Sequence, residues 1–186
     1  MEHKINTPTQ DGFHMPGEWD TQEAVWMIWP YRTDNWRANA QPAQHAFSHV
    51  AKAIAQTTPV FMAVPRAEMD KARDLLTDQV VLVEMESDDA WARDIGPTIV
   101  KNIQGERKAI DWVFNAWGGE NGGLYCPWDR DQLIARKIAD IHGFSTYPTP
   151  LVLEGGAIHV DGEGTLLTTA ECLLHPNRNP HLDRKS

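Results

Sequence analysis

The chain has 186 residues, 41% of them hydrophobic and 23% charged, the mixture of about one globular domain rather than of a disordered chain. Its 17 Lys and Arg against 26 Asp and Glu leave a net charge of −9, which excludes a basic nucleic-acid module and suits small cationic ligands. The longest apolar run, Ala24 to Trp29, is six residues against the roughly 20 that a spanning helix needs. No membrane association is expected.

Residues 1–18 are polar and punctuated by Pro8, Gly12, Pro16 and Gly17, and read as an arm. Met1 to Asn6 carries no signal-peptide stretch, and the two cysteines, Cys126 and Cys172, cannot build a disulfide framework or a four-thiolate zinc site. A cytoplasmic protein with reduced thiols is the expectation. Ala24 to Trp29 reads as a buried strand stopped by Pro30. Thr33-Asp34-Asn35 offers cap chemistry for a helix whose stripe is Ala43, Phe47, Val50, Ala51 and Ile54. Pro59 to Val64 predicts a second strand, Met69 to Leu76 a second helix, and Val80 to Val83 a third strand.

Glu84 to Arg93 is then an acid-rich loop. Thr98 to Val100 and Ala109 to Phe114 predict a hairpin, Asp129 to His142 a helix closed by Gly143, and Leu151 to Leu153 and Ala157 to Val160 strands broken by Gly155-Gly156. Asp161 to Gly164 predicts a turn into Thr165 to Thr169. The alternation argues for an α/β fold in one domain, with a repeated structural unit but no residue-level repeat.

Two segments carry candidate chemistry. Glu86 to Pro97 sets Asp88, Asp89 and Asp94 around Trp91 and Arg93. Carboxylates can clamp a guanidinium by parallel hydrogen bonds, and an indole face attracts the same planar cation. The segment reads equally as a solvated acidic loop. Leu153-Glu154-Gly155-Gly156 sets an acid at a strand end before two glycines that would let backbone approach a ligand; an ordinary strand-end turn is the other reading. Asn115 to Gly119 with Trp128 reads as packing before pocket wall. His45 and His49 lack the intervening glutamate of a metalloprotease helix, and Cys172, beside Leu173 and Leu174, reads as a small buried hydrophobe.

Taken together, Met15-Pro16-Gly17-Glu18-Trp19, Trp26-Met27-Ile28-Trp29-Pro30, Asp34-Asn35-Trp36-Arg37, Asp89 to Pro97, Phe114 to Gly119, Gly123 to Asp129, Val152 to Gly156 and Asn177-Arg178-Asn179-Pro180 resemble the agmatine deiminase family. The resemblance implies a pentein fold (an α/β-propeller), with β/α modules repeated around a pseudo-five-fold axis. It implies hydrolysis of agmatine to N-carbamoylputrescine and ammonia on a route to putrescine, through a covalent amidino-cysteine, with no metal or organic cofactor. Asp94 and Glu154 match the catalytic carboxylates, and Trp91, Asp94, Glu154 and Asp89 fall in the substrate-binding motifs, Asp89 without a defined role. The family's nucleophilic cysteine and His-x-Asp pair are expected beyond Ser186, and no His-x-Asp is expected within the chain. Residues 19–186 then represent the N-terminal part of the deiminase domain: an incomplete ring, inactive alone, with parts of Val80 to Val83 and Leu151 to Leu153 and some of the eight tryptophans exposed. Homo-oligomerisation is left open. Two rivals remain: a peptidyl-arginine or arginine deiminase, and a non-catalytic binding half-domain.

Overall fold

A computed structural model describes residues 6–185, and the chain divides into two compact units, Thr21–Ala92 and Met1–Asp20 with Arg93–Ser186. Thr21–Ala92 holds β1 (Val25–Ile28), α1 (Gln41–Ile54), β2 (Val60–Val64), α2 (Met69–Leu75) and β3 (Val80–Glu84). The strands are parallel in the order β1-β2-β3, with Val25 opposite Val60 and Val60 opposite Val80. Parallel neighbours need long crossovers, and the two helices supply them. The central strand is covered on both faces, which is why Val60 to Val64 is apolar without alternation. Trp29, Ala51, Val60, Met62, Val64, Ala72 and Val80 form its core.

The entry to α1 departs from the sequence reading. The helix begins at Gln41, preceded by Ala40 in the left-handed region at φ 61°, and no side chain caps it. Asp34 instead pairs with Arg32, and Asn35 donates to Asp89. The buried face also differs: Gln44, Ser48 and Ala51 turn inward, while Val50 is 49% exposed. Gln44 can be buried because its amide donates to the Pro30 carbonyl at 3.0 Å and to Glu68 at 3.2 Å. A satisfied polar group competes well for an interior position.

The chain leaves this unit in a short helix, α3 (Ala92–Ile95). In the second unit β4 (Thr98–Lys101) and β5 (Arg107–Val113) are antiparallel. α4 (Ile134–His142) crosses to β6 (Thr146–Val152), which runs parallel to β5. Gly143, at φ 68°, ends α4 in the left-handed conformation the sequence predicts. β7 (His159–Val160) and β8 (Leu166–Leu167) form the expected hairpin, and α5 (Ala170–Leu174) follows. Phe13 packs with Val100 and Tyr147, and His14 bridges to Lys101, so residues within the polar first segment join this core. Val152 and Leu153 are buried, against the expectation of exposure, because Asn179 bonds both backbone groups of Val152.

Met62 is fully buried on the central strand of the first sheet. Met62→Ala should therefore destabilise the chain by about 2–5 kcal/mol, read as a lowered urea midpoint with an unchanged slope.

Candidate active site

Asp94 lies in the single turn of α3, and its position is set by the glycines after β6. The backbone N–H of Gly156 donates to Asp94 Oδ1 at 3.2 Å. A Cβ on Gly156 would stand 2.5 Å from that oxygen, and one on Gly155 would overlap the Arg93 carbonyl oxygen. Both glycines are thus needed for close approach. This contact joins two segments 62 residues apart.

Glu154 is 2% exposed, and its Oε1 accepts from Arg178 Nε at 2.9 Å. Arg178 is itself nearly buried. The next residue, Asn179, is fully buried; it accepts from Val152 N at 3.0 Å and donates to the Val152 and Leu173 carbonyls, each at 2.9 Å. Asn179 clips the end of β6 and so aims Arg178 at Glu154. Asn115 donates to the Asn177 carbonyl at 2.8 Å, tying the glycine-rich loop to the same turn. Arg178 and Asn179 were quoted in the sequence only as a family motif; the signal for their roles is the acid–base pairing of two motifs 24 residues apart.

Burial raises the Asp94 carboxyl above the ordinary 3.8, and the charge of Glu154 adds to the rise, against the Gly156 N–H and Arg93. The two carboxylates therefore feel each other. Carboxylates of this kind can accept the N–H groups of a planar cation.

Asp89 and Trp91 meet in the other unit. Asp89 is fully buried. Its Oδ1 accepts from Trp36 Nε1 at 2.6 Å and Ala90 N at 2.9 Å; its Oδ2 accepts from Asn35 Nδ2 at 2.6 Å and Trp91 Nε1 at 2.8 Å. The Trp36 and Trp91 rings stack at 5.6 Å and 26°, and Trp36 meets Phe47 of α1 edge-on at 5.9 Å. Ala38, Asn39 and Ala40, just beyond Trp36, all have positive φ, between 52° and 61°. Such a left-handed run costs about 1–2 kcal/mol per residue and persists only where neighbours fix it.

Other candidates fall away. Trp117 meets Phe114 and Tyr125 edge-on at 5.2 and 5.9 Å, the packing role the sequence favours. Cys172 is half-buried on α5 rather than interior, and its N–H donates to Thr169 Oγ1. Cys126 is exposed. The expectation that no His-x-Asp is present needs correcting, since the spacing occurs twice, at His159-Val160-Asp161 and His181-Leu182-Asp183. The first is a turn device: His159 is exposed on β7, and Asp161 Oδ1 accepts from Glu163 N at 2.7 Å and Thr165 N at 3.0 Å. These bonds and the Thr165 hydroxyl hold Asp161 below the ordinary carboxylate range. Among the described residues no group of three or more His, Cys, Asp or Glu is arranged to hold a metal ion, and no helix is long and apolar enough to cross a membrane.

Removing Arg178 would leave Glu154 as an uncompensated buried charge. Arg178→Gln should cost about 3 kcal/mol of folding stability at neutral pH, measured by urea unfolding. Asp94 makes a pH prediction. A carboxyl whose folded pKa stands above its unfolded one favours folding on the acid side, and that contribution is lost as pH rises through the folded value. Carbon-13 NMR of the Asp94 carboxyl should show a midpoint above 3.8, and Asp94→Asn should remove the corresponding fall in stability with pH.

The chain is similar to known proteins over nearly its whole length. The sequence model of the Porphyromonas-type peptidyl-arginine deiminases matches residues 14–186. A provisionally named agmatine deiminase of Pectobacterium atrosepticum is 63% identical over 180 residues, which is 97% of this chain and 49% of that protein. The solved agmatine deiminase of Enterococcus faecalis superposes with a TM-score of 0.95 at 51% identity, over 98% of this chain and 50% of that one. A substrate-bound agmatine deiminase variant of C. jejuni gives 0.78 at 25% identity, over 93% and 50%. The chain spans about half the length of the curated relatives it matches. It belongs to the Porphyromonas-type peptidyl-arginine deiminase family and corresponds to the N-terminal half of the agmatine deiminases within it.

Proposed function

We propose that the chain supplies the guanidinium-binding half of an agmatine deiminase, a hydrolase of linear amidines that converts agmatine and water to N-carbamoylputrescine and ammonia on a route to putrescine. The observation that carries this reading is the convergence of Asp94, Gly156, Glu154 and Arg178 at the end of β6. Asp94 and Glu154 would take the guanidinium N–H groups; separately, the indole face of Trp91 would suit a planar cation, as the family resemblance implies. The complete protein would form the pentein ring, of which this chain is the incomplete first part.

In the reaction a cysteine thiolate adds to the guanidinium carbon, and ammonia departs with a proton from the histidine acid. Water, deprotonated by the same histidine, then attacks the amidino carbon and releases the thiolate with the carbamoyl product. Splitting the hydrolysis in two suits a resonance-stabilised cation, which water alone attacks slowly. In this reading that cysteine and histidine would come from the half of the relatives that the chain does not cover. The carboxylates raise reactivity by holding the carbon at the attack distance.

Peptidyl-arginine is the second reading, favoured by the family's description. A peptide or amino-acid substrate carries a carboxylate or backbone at its far end, where basic side chains would be needed. The acidic composition of the chain supports agmatine, whose far end is an amine.

The test is a chimera in which residues 1–186 replace the corresponding half of the E. faecalis enzyme. It should release ammonia from agmatine and not from arginine or a peptidyl-arginine. Asp94→Asn in that chimera should lower kcat/KM at least about a hundredfold, consistent with losing a charged contact made to the reacting group. The chain on its own should release none. Ammonia from the lone chain, abolished by Cys172→Ala, would contradict the assignment and make Cys172 the nucleophile.

A further inference from the structure

The sequence leaves Asp89 without a role, and its composition suggests one more carboxylate for the cation. The geometry points elsewhere. Asp89 is fully buried, and its two oxygens receive four N–H donors: two indoles, one amide side chain and the backbone of Ala90. A carboxylate offers about four lone-pair directions, so these donors occupy the capacity a guanidinium would need. Indole N–H groups donate only, and a shared acceptor-only group is what lets two of them converge.

We infer that Asp89 is a positioning residue: it fixes the ring of Trp91 by its indole N–H and makes the face of that ring a better receptor for a planar cation. This rests on the reading of Trp91 as the surface that packs on the substrate. Three observations support it. The Asp89 bonds hold Trp36 and Trp91 as a stacked pair, so neither ring can swing without breaking a bond to the same carboxylate. Asn35 and Trp36 stand just before the left-handed run Ala38 to Ala40, and Asp89 is what both side chains grip. Finally, a hydrogen bond polarises its donor. An anion accepting the indole N–H pushes electron density into the ring and strengthens its attraction for a cation on the face. Asp89 thus acts on the ligand through Trp91, without touching it.

The test uses the whole chain labelled with nitrogen-15, with the Trp91 indole resonance assigned by Trp91→Phe, and agmatine affinity measured by titration. In the unsubstituted chain the Trp91 indole N–H should exchange with solvent at least tenfold more slowly than that of the exposed Trp19. Asp89→Asn, which turns an amide toward four donors, should shift both the Trp36 and Trp91 indole resonances and collapse the far-ultraviolet exciton couplet of the stacked pair in circular dichroism. It should weaken agmatine about tenfold. In a Trp91→Phe background the same substitution should add less than twofold, and Met62→Ala, destabilised elsewhere, should leave affinity unchanged. Fast exchange at Trp91 in the unsubstituted chain would overturn the inference even if Asp89→Asn did not fold. So would an equal loss from Asp89→Asn with and without Trp91. Agmatine affinity unaltered by Trp91→Phe would instead sink the functional reading of Trp91 on which the inference rests.

Discussion

The pairing of Glu154 with Arg178 is the contact on which the second unit's site depends. A carboxylate 2% exposed is untenable without a cation or several donors, and Arg178 supplies both charge and geometry at 2.9 Å. Arg178 can reach it because Asn179 satisfies both backbone groups of Val152 and the Leu173 carbonyl. The strand end, the acid and the glycines that follow are therefore one construction. Asp94 is added to it by a single backbone N–H, which only glycine can bring so near. Burial raises the Asp94 carboxyl, and the charge of Glu154 adds a smaller push in the same direction.

The first unit solves a different problem with the same residue type. Asp89 accepts from the neutral N–H groups of Asn35, Trp36, Ala90 and Trp91, and it also interacts electrostatically with Arg32. Neutral N–H groups stabilise it collectively, and in return they are held in one arrangement. Two aspartates five residues apart in sequence thus have opposite environments: Asp89 saturated by donors, Asp94 with one backbone donor and a neighbouring acid. That contrast separates a group that organises a site from one available to a ligand.

Much of this was legible in the sequence. The apolar runs Ala24 to Trp29, Pro59 to Val64 and Val80 to Val83 identify the parallel strands, and the central one lacks alternation because it is covered on both faces. The Gly105 and Gly162 turns, the Gly143 cap and the acids Asp94 and Glu154 also stand out, since each is a local chemical signal. What was hidden depends on distant partners. Asn35 looks like a helix cap until Asp89, 54 residues on, claims its amide. The buried face of α1 is polar because Gln44 finds Pro30 and Glu68. The His-x-Asp spacing is a different case: it stands openly in the sequence at His159 and His181, where none is expected, and Asp161 spends its oxygen on its own turn.

The central claim is that Asp94 and Glu154 jointly receive a guanidinium. A crystal structure of the chain soaked with agmatine tests it most directly. The account predicts guanidinium nitrogens about 2.7–2.9 Å from carboxylate oxygens of both Asp94 and Glu154, with Arg178 still on Glu154. Agmatine seated away from both carboxylates, or displacing Arg178 to bind Glu154 alone, would contradict it.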